Sequence, residues 1–165
     1  MSAESQGYQS ERYSLIPRVL IFSEHADKLL LIKGSPQKKI WPNLYNGIGG
    51  HVERGENVLA AAKREFLEET GLKLINPHLS AIITIDTKLS PGIGLFVFKG
   101  DTQTGNLKPS SEGALEWVAI DKLHALPLVE DLKILLPKIL NWRFSDPILF
   151  GQYHYDQRGH LTVNL

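Results

Sequence analysis

The 165-residue chain contains no cysteine. Disulfides, thiolate metal sites and cysteine nucleophiles are therefore excluded, and the composition suits a reducing compartment. It carries no net charge either, with 18 Lys+Arg against 18 Asp+Glu. A neutral chain lacks the overall electrostatic footprint of a protein that binds a nucleic-acid polymer. No apolar run approaches the ~20 residues of a membrane span, and residues 1–12 lack the apolar stretch of a secretion signal. Aromatics are only 8%; the balance of 42% hydrophobic and 22% charged residues is ordinary for one domain. The expectation is a cytoplasmic protein without membrane or nucleic-acid polymer partners. A polar, flexible N-terminal segment over residues 1–12 precedes a single domain over 13–165.

The pattern along the chain is α+β. Residues 18–22 and 29–32 read as two short strands with a hairpin connection at 23–27. Residues 46–50 (NGIGG) hold three glycines in five residues, so the backbone there turns sharply or approaches something closely. From Asn57 to Thr70 the apolar residues Leu59, Ala62 and Phe66 fall on one helical stripe, and Gly71 stands where a helix C′ residue belongs. Strands follow at 79–86, 93–99 and 115–120. Residues 129–140 have a helical pattern that Pro137 is expected to kink or end. Residues 148–155 and 160–165 flank Asp156-Gln157-Arg158-Gly159 and read as a C-terminal β-hairpin. Its outer edge either covers the domain's own sheet or is offered to a second subunit, which makes a homodimer one option.

The segment richest in chemistry is residues 50–72, GHVERGENVLAAAKREFLEETGL. On a helix, Glu65, Glu68 and Glu69 fall within about a 100° arc. Three carboxylates on one face repel one another, and a cation relieves that repulsion. Carboxylate oxygens without imidazole or thiolate suit hard ions such as Mg²⁺, with Mn²⁺ as a substitute. The six histidines are scattered, with no i,i+4 pair, so a zinc site is not expected. Arg64 can hold the adjacent Glu65 carboxylate, and Gly49 and Gly50 would let backbone carbonyls approach an ion. A carboxylate-held Mg²⁺ is the usual apparatus for a polyphosphate: it neutralises charge and activates a water for in-line attack.

Gly50, Glu56, Arg64, Glu65, Phe66, Glu68, Glu69, Gly71 and Leu72 match the pattern G-x5-E-x7-R-E-U-x-E-E-x-G-U, with U a bulky apolar residue. Chance agreement is on the order of once in 10⁹ windows. The chain resembles the Nudix hydrolase family, which implies an α/β/α sandwich around a mixed β-sheet and Mg²⁺- or Mn²⁺-dependent cleavage of nucleoside diphosphate derivatives. Phe66 departs slightly from the family's usual aliphatic residue, a matter of packing. The resemblance makes Glu65 the general base or a metal-associated carboxylate. It makes Glu68 and Glu69 metal ligands, with the Gly49 carbonyl beside them, and Arg64 and Glu56 orienting residues. A further family carboxylate precedes a late strand, and Glu112, five residues ahead of Trp117, matches it better than Glu116 does.

Within the family, the likeness is nearest to triphosphatases that sanitise oxidised purine nucleotides. It rests on Asn46 in YNGIGG, on Asp131 fourteen residues after Trp117, and on the hairpin beginning Phe150-Gly151-Gln152-Tyr153. It implies a nucleotide partner whose purine edge Asn46 and Asp131 would read, and hydrolysis of an 8-oxo-dGTP-like triphosphate to monophosphate and pyrophosphate. The alternatives are a hydrolase of a nucleoside diphosphate linked to another moiety, such as ADP-ribose, and a non-catalytic nucleotide-sensing domain. A proline about fifteen residues past the box marks many ADP-ribose enzymes; the nearest here, Pro91, lies nineteen past Leu72.

Overall fold

The computed structural model describes residues 3–7, 11–103, 105–108, 110 and 112–165; the flexibility expected of residues 1–12 lies partly outside them. Among the described residues, nine strands form one mixed sheet: β1 (Leu15–His25), β2 (Lys28–Gly34), β3 (Tyr45–Asn46), β4 (Ile48–His51), β5 (Ile75–Asp86), β6 (Gly92–Asp101), β7 (Gly113–Ala119), β8 (Leu149–Tyr155) and β9 (Leu161–Asn164). Two α-helices, α1 (Val58–Thr70) and α2 (Leu132–Asn141), cover its faces.

The order β3-β2-β1-β6-β5-β8-β9 is mainly antiparallel, with parallel pairs at β1–β6 and β5–β8. On one edge, β1 pairs with β2 at its C-terminal end and with β4 through residues 18–21. The sheet therefore splits and curls there, and β4 delivers Gly49 and Gly50 next to α1.

The central strands read as unbroken apolar runs because both their faces are buried. Val19 and Ile21 of β1, with Leu30 and Ile32 of β2, pack with Ala61, Ala62 and Phe66 of α1. Their alternates Leu20, Phe22, Leu29 and Leu31 pack with Leu132, Leu135, Leu136 and Ile139 of α2. The period of two along each strand thus sends one set of side chains to each helix, and the α/β/α layering follows. Phe66 is fully buried, as a packing residue should be.

Strands β1, β2, β5, β6 and β7 are longer than the sequence pattern indicates, α2 begins at Leu132 rather than at residue 129, and β3 and β4 form where the pattern indicates only a sharp turn or a close approach. The first hairpin closes at His25 and Lys28, so its loop is only Ala26-Asp27, with φ of 45° and 60°. Positive φ at both positions is the twist-matched two-residue turn, and it carries the ladder through Ser23 and Glu24, which the polar sequence suggests as loop. Pro137 does not end α2, which continues to Asn141. The carbonyl left without its amide belongs to Lys133, and both residues are exposed, so that carbonyl is not sealed from solvent and the lost bond costs little. The glycine-rich stretch lies in and beside β4, where a Cβ on Gly49 would overlap the Val19 carbonyl and one on Gly47 the Leu20 and Phe22 side chains. The close approach expected of these glycines is to β1.

Candidate active site

Helix α1 starts from a well-made cap. Asn57 Oδ1 accepts hydrogen bonds from the amides of Leu59 and Ala60 at 3.0 and 2.9 Å. It ends on Gly71 in the left-handed region, φ 76°, whose amide donates to the Leu67 carbonyl. Between these stops the buried stripe Ala61, Ala62, Phe66 and Thr70 faces the sheet, which fixes where Arg64, Glu65, Glu68 and Glu69 project.

Arg64 gathers three carboxylates. Its Nη2 and Nε donate to the two Glu56 oxygens at 2.6 and 3.2 Å, a bidentate pair. Its Nη1 donates to Glu65 Oε1 at 3.0 Å and Glu68 Oε2 at 3.1 Å, and Nη2 also reaches the His51 carbonyl. Glu56 Oε1 in turn accepts from the Glu53 amide. Arg64 and that amide hold the Glu56 carboxyl below its ordinary range, and the same carboxylates hold the guanidinium proton more tightly still. One cation against three anions leaves this cluster negative.

Glu69 stands apart from that network. Its Oε2 is buried and has no hydrogen-bond partner. Burial pushes its carboxyl up to about 7, and the negative charges of Glu112 and Glu65 add to the shift; the Gly49 amide and Lys38 pull it partly back. Glu112, contributed by the loop before β7, lies near enough for its charge to act on Glu69. It is exposed and paired with Lys38, Nζ to Oε2 at 2.6 Å. Glu116 is occupied elsewhere, accepting from the Tyr45 hydroxyl at 2.7 Å. Gly50 has a different use from the one its sequence position suggests: a Cβ there would overlap the Glu65 carboxyl group, so its bareness makes room for that side chain.

The all-oxygen set of Glu65, Glu68, Glu69 and Glu112 fits a hard divalent cation, and the orphaned Glu69 oxygen is where such an ion would relieve the greatest cost. Among the described residues no three such groups are already drawn together as a ligand set. Arg64 and Lys38 hold Glu65, Glu68 and Glu112 instead.

The base-reading candidates Asn46 and Asp131 stand on two segments that the backbone joins. The Tyr45 amide donates to the Pro127 carbonyl at 2.9 Å, and the Val129 amide donates to the Tyr45 carbonyl at 3.1 Å. This short ladder sets the segment bearing Asn46 beside the one leading into Asp131. Asn46 Oδ1 accepts the Gly47 amide at 2.8 Å, leaving its amide nitrogen for another partner. Asp131 begins α2 without capping it, and burial raises its carboxyl above the ordinary range.

Three further residues stand out that the spacing arguments passed over. Tyr153 of β8 is fully buried, feels the Asp131 charge, and has a hydroxyl with no partner. Arg18 has a buried, unpartnered Nε. Lys38 is the cation on Glu112. Tyr153 had a signal in the alternation of the hairpin. The other two had none, because only tertiary contacts give them meaning. Of the tryptophans, Trp117 packs against the α1-side core beside His25, whereas Trp41 is exposed. No helix among the described residues is long and apolar enough to cross a membrane.

Comparison with known proteins agrees with this arrangement. The NUDIX domain family model matches residues 15–139. An uncharacterised Nudix hydrolase of Bacillus subtilis, YvcI, is 36% identical over 107 residues, covering 62% of this chain and 65% of that relative, a little under two thirds of its length. The mouse oxidised purine nucleoside triphosphate hydrolase is 29% identical over 111 residues, covering 67% of this chain and 71% of the mouse protein. The solved structure of a mutator MutT protein from Bacillus halodurans superposes with a TM-score of 0.76 at 29% identity, covering 91% of this chain and 97% of that one. The sheet, the capped acidic helix and the family match agree: this chain belongs to the NUDIX domain family and has the fold of a Nudix hydrolase.

Proposed function

We propose that this protein is a divalent-metal-dependent pyrophosphohydrolase that cleaves a nucleoside triphosphate to monophosphate and pyrophosphate, with an oxidised purine of the 8-oxo-dGTP kind as its base. The observation that carries the reading is Glu69, a carboxylate with a buried, unpartnered oxygen on which the charges of Glu65 and Glu112 act. A helix retains so costly a group where a ligand completes it. Glu68, Glu69 and Glu112, with the Gly49 backbone, would hold Mg²⁺ or Mn²⁺. Such an ion, when bound, neutralises polyphosphate charge and makes its coordinated water a better nucleophile.

The chain's own residues do the rest. Glu65 accepts the proton of the attacking water; Arg64 fixes its carboxylate, and Gly50 leaves it space. Glu56 holds Arg64 through both oxygens, so the orientation of Glu65 rests on a doubly anchored guanidinium. Asn46 and Asp131 read the purine edge. Likeness to the mouse enzyme supports the oxidised-purine class. Retention of Glu56, Glu65, Glu68 and Glu69 together favours catalysis over nucleotide sensing alone.

The test is a panel of nucleoside triphosphates, oxidised and unoxidised, and ADP-ribose with Mg²⁺, following pyrophosphate and phosphate. Wild type should release pyrophosphate from triphosphates, and Glu69→Gln should lose at least about a hundredfold in kcat. Equal rates in the two proteins would remove the metal-ligand role. Preferential turnover of ADP-ribose would replace the substrate class.

A further inference from the structure

Lys38 lies between β2 and β3, and its ammonium is 2.6 Å from Glu112 Oε2. The backbone joins the same two loops, since the Ser35 amide donates to the Glu112 carbonyl at 3.2 Å. Lys38 also acts on Glu69, opposing its protonation. The pair sits beside an open groove lined by Lys33, Ser35, Ser110 and Gly113. Its two side chains are 35% and 52% exposed. So exposed a pair is weak, and either member leaves it for a stronger partner. For Glu112 that partner is a divalent cation; for a lysine ammonium, a compact charge on a flexible stem, it is a phosphate.

We infer that Lys38 is a substrate-positioning residue that exchanges partners, leaving the Glu112 carboxylate when that group takes a divalent cation and moving onto the anionic phosphates of the substrate. In the metal-free protein it shields Glu112 from Glu69. In the working enzyme it ties the β2–β3 loop to the polyphosphate. The inference rests on the proposed metal role of Glu112.

Two measurements with opposite signs test it. Mn²⁺ binding to nucleotide-free protein, followed by electron paramagnetic resonance, should be about two- to fivefold tighter in Lys38→Met, because a competitor for Glu112 is gone. The triphosphate KM of the same variant should rise about tenfold or more, with a smaller change in kcat. Lys38→Arg should keep both values near wild type. Lys39→Met, which removes a neighbouring charge of the same loop, should move each less than about twofold. An unchanged Mn²⁺ affinity or an unchanged KM in Lys38→Met, or equal shifts in Lys39→Met, overturns the exchange. A wild-type protein that binds no Mn²⁺ overturns instead the metal-dependent reading beneath it.

Discussion

The two helices cover opposite faces of one sheet, yet their polar groups are held in contrasting ways. Beside α1, five carboxylates (Glu56, Glu65, Glu68, Glu69 and Glu112) share two ion-paired cations, Arg64 and Lys38. Most of that charge is anchored by hydrogen bonds, and the surplus collects at Glu69. Beside α2 stand Asp131, a single carboxylate that burial raises, and Tyr153, whose buried hydroxyl has no partner, at the margin of an apolar core. An uncompensated charge calls for a cation, whereas unpaired polar atoms at an apolar wall call for a flat, hydrogen-bonding ligand. The chemistry of the phosphates and the recognition of the base are therefore expected to separate in mutants.

The largest expected effect is at Glu69. Glu69→Gln should cost the hundredfold in kcat stated above, and should also make the metal-free protein more stable above pH 7. The substitution removes a buried charge and keeps the shape. Thermal or urea unfolding without metal checks this; a variant less stable than wild type would mean that Glu69 has a partner the geometry does not reveal.

The pH dependence has a definite sign. The folded Glu69 carboxyl titrates at about 7, above its ordinary value of 4.5. The folded state therefore favours the protonated form. Its contribution is fully present below about pH 4.5 and is lost as pH rises through 7, by up to about 3 kcal/mol. Metal-free wild type should lose stability between pH 5 and 8, and Glu69→Gln should show a much shallower slope. Mg²⁺ should recover stability at pH 8 more than at pH 5. Glu56 and Asp156, whose carboxyls are held low, act in the opposite sense at more acidic pH and do not mask this window.

How much of this was legible in the sequence differs between the two faces for a physical reason. Helix α1 is a local object: its start near Asn57, its stop at Gly71 and the projection of Glu65, Glu68 and Glu69 follow from a fixed period and fixed offsets. Most of the sheet was legible as strands, but β3 and β4 were not, and the length of β1 was not either, because a polar pair such as Ser23-Glu24 extends when a neighbouring strand is present to bond it. Lys38 and Arg18 acquire their surroundings only through pairings between distant segments, which no short-range pattern encodes. Gly50 illustrates an intermediate case. Its place in the motif was plain, but what it makes room for, the Glu65 carboxyl group, required the β4–α1 contact.

The adjacent glycines sharpen that point. Gly49→Ala would push a methyl into the Val19 backbone carbonyl, which has nowhere to go, so it should cost about 1–3 kcal/mol of stability. Gly50→Ala meets only the end of the Glu65 side chain, which can swing away. It should stay close to wild type in stability and lose about tenfold or more in kcat as the base is displaced. Unfolding curves and initial rates on both variants check this; the same pattern of loss in the two would show that neighbouring glycines serve one purpose.

The smallest expected effect tests the recognition side. Asn46 Oδ1 is committed to the Gly47 amide, so the group left for a ligand is its NH₂ donor pair. Asn46→Ala removes those donors and one turn bond, while leaving the β3 backbone ladder to Pro127 and Val129 in place. One neutral hydrogen bond is worth about 1 kcal/mol, so kcat/KM for the preferred base should fall about fivefold relative to a base that offers no acceptor at that edge. The ratio between bases should move while the rate on a poorly recognised triphosphate barely changes. Asp131→Asn, which keeps the shape and exchanges an acceptor for a donor, should shift the ratio for a different set of bases. A uniform loss across all bases in Asn46→Ala would assign the residue to the turn alone, and the reading of the purine edge would pass to Asp131 and Tyr153.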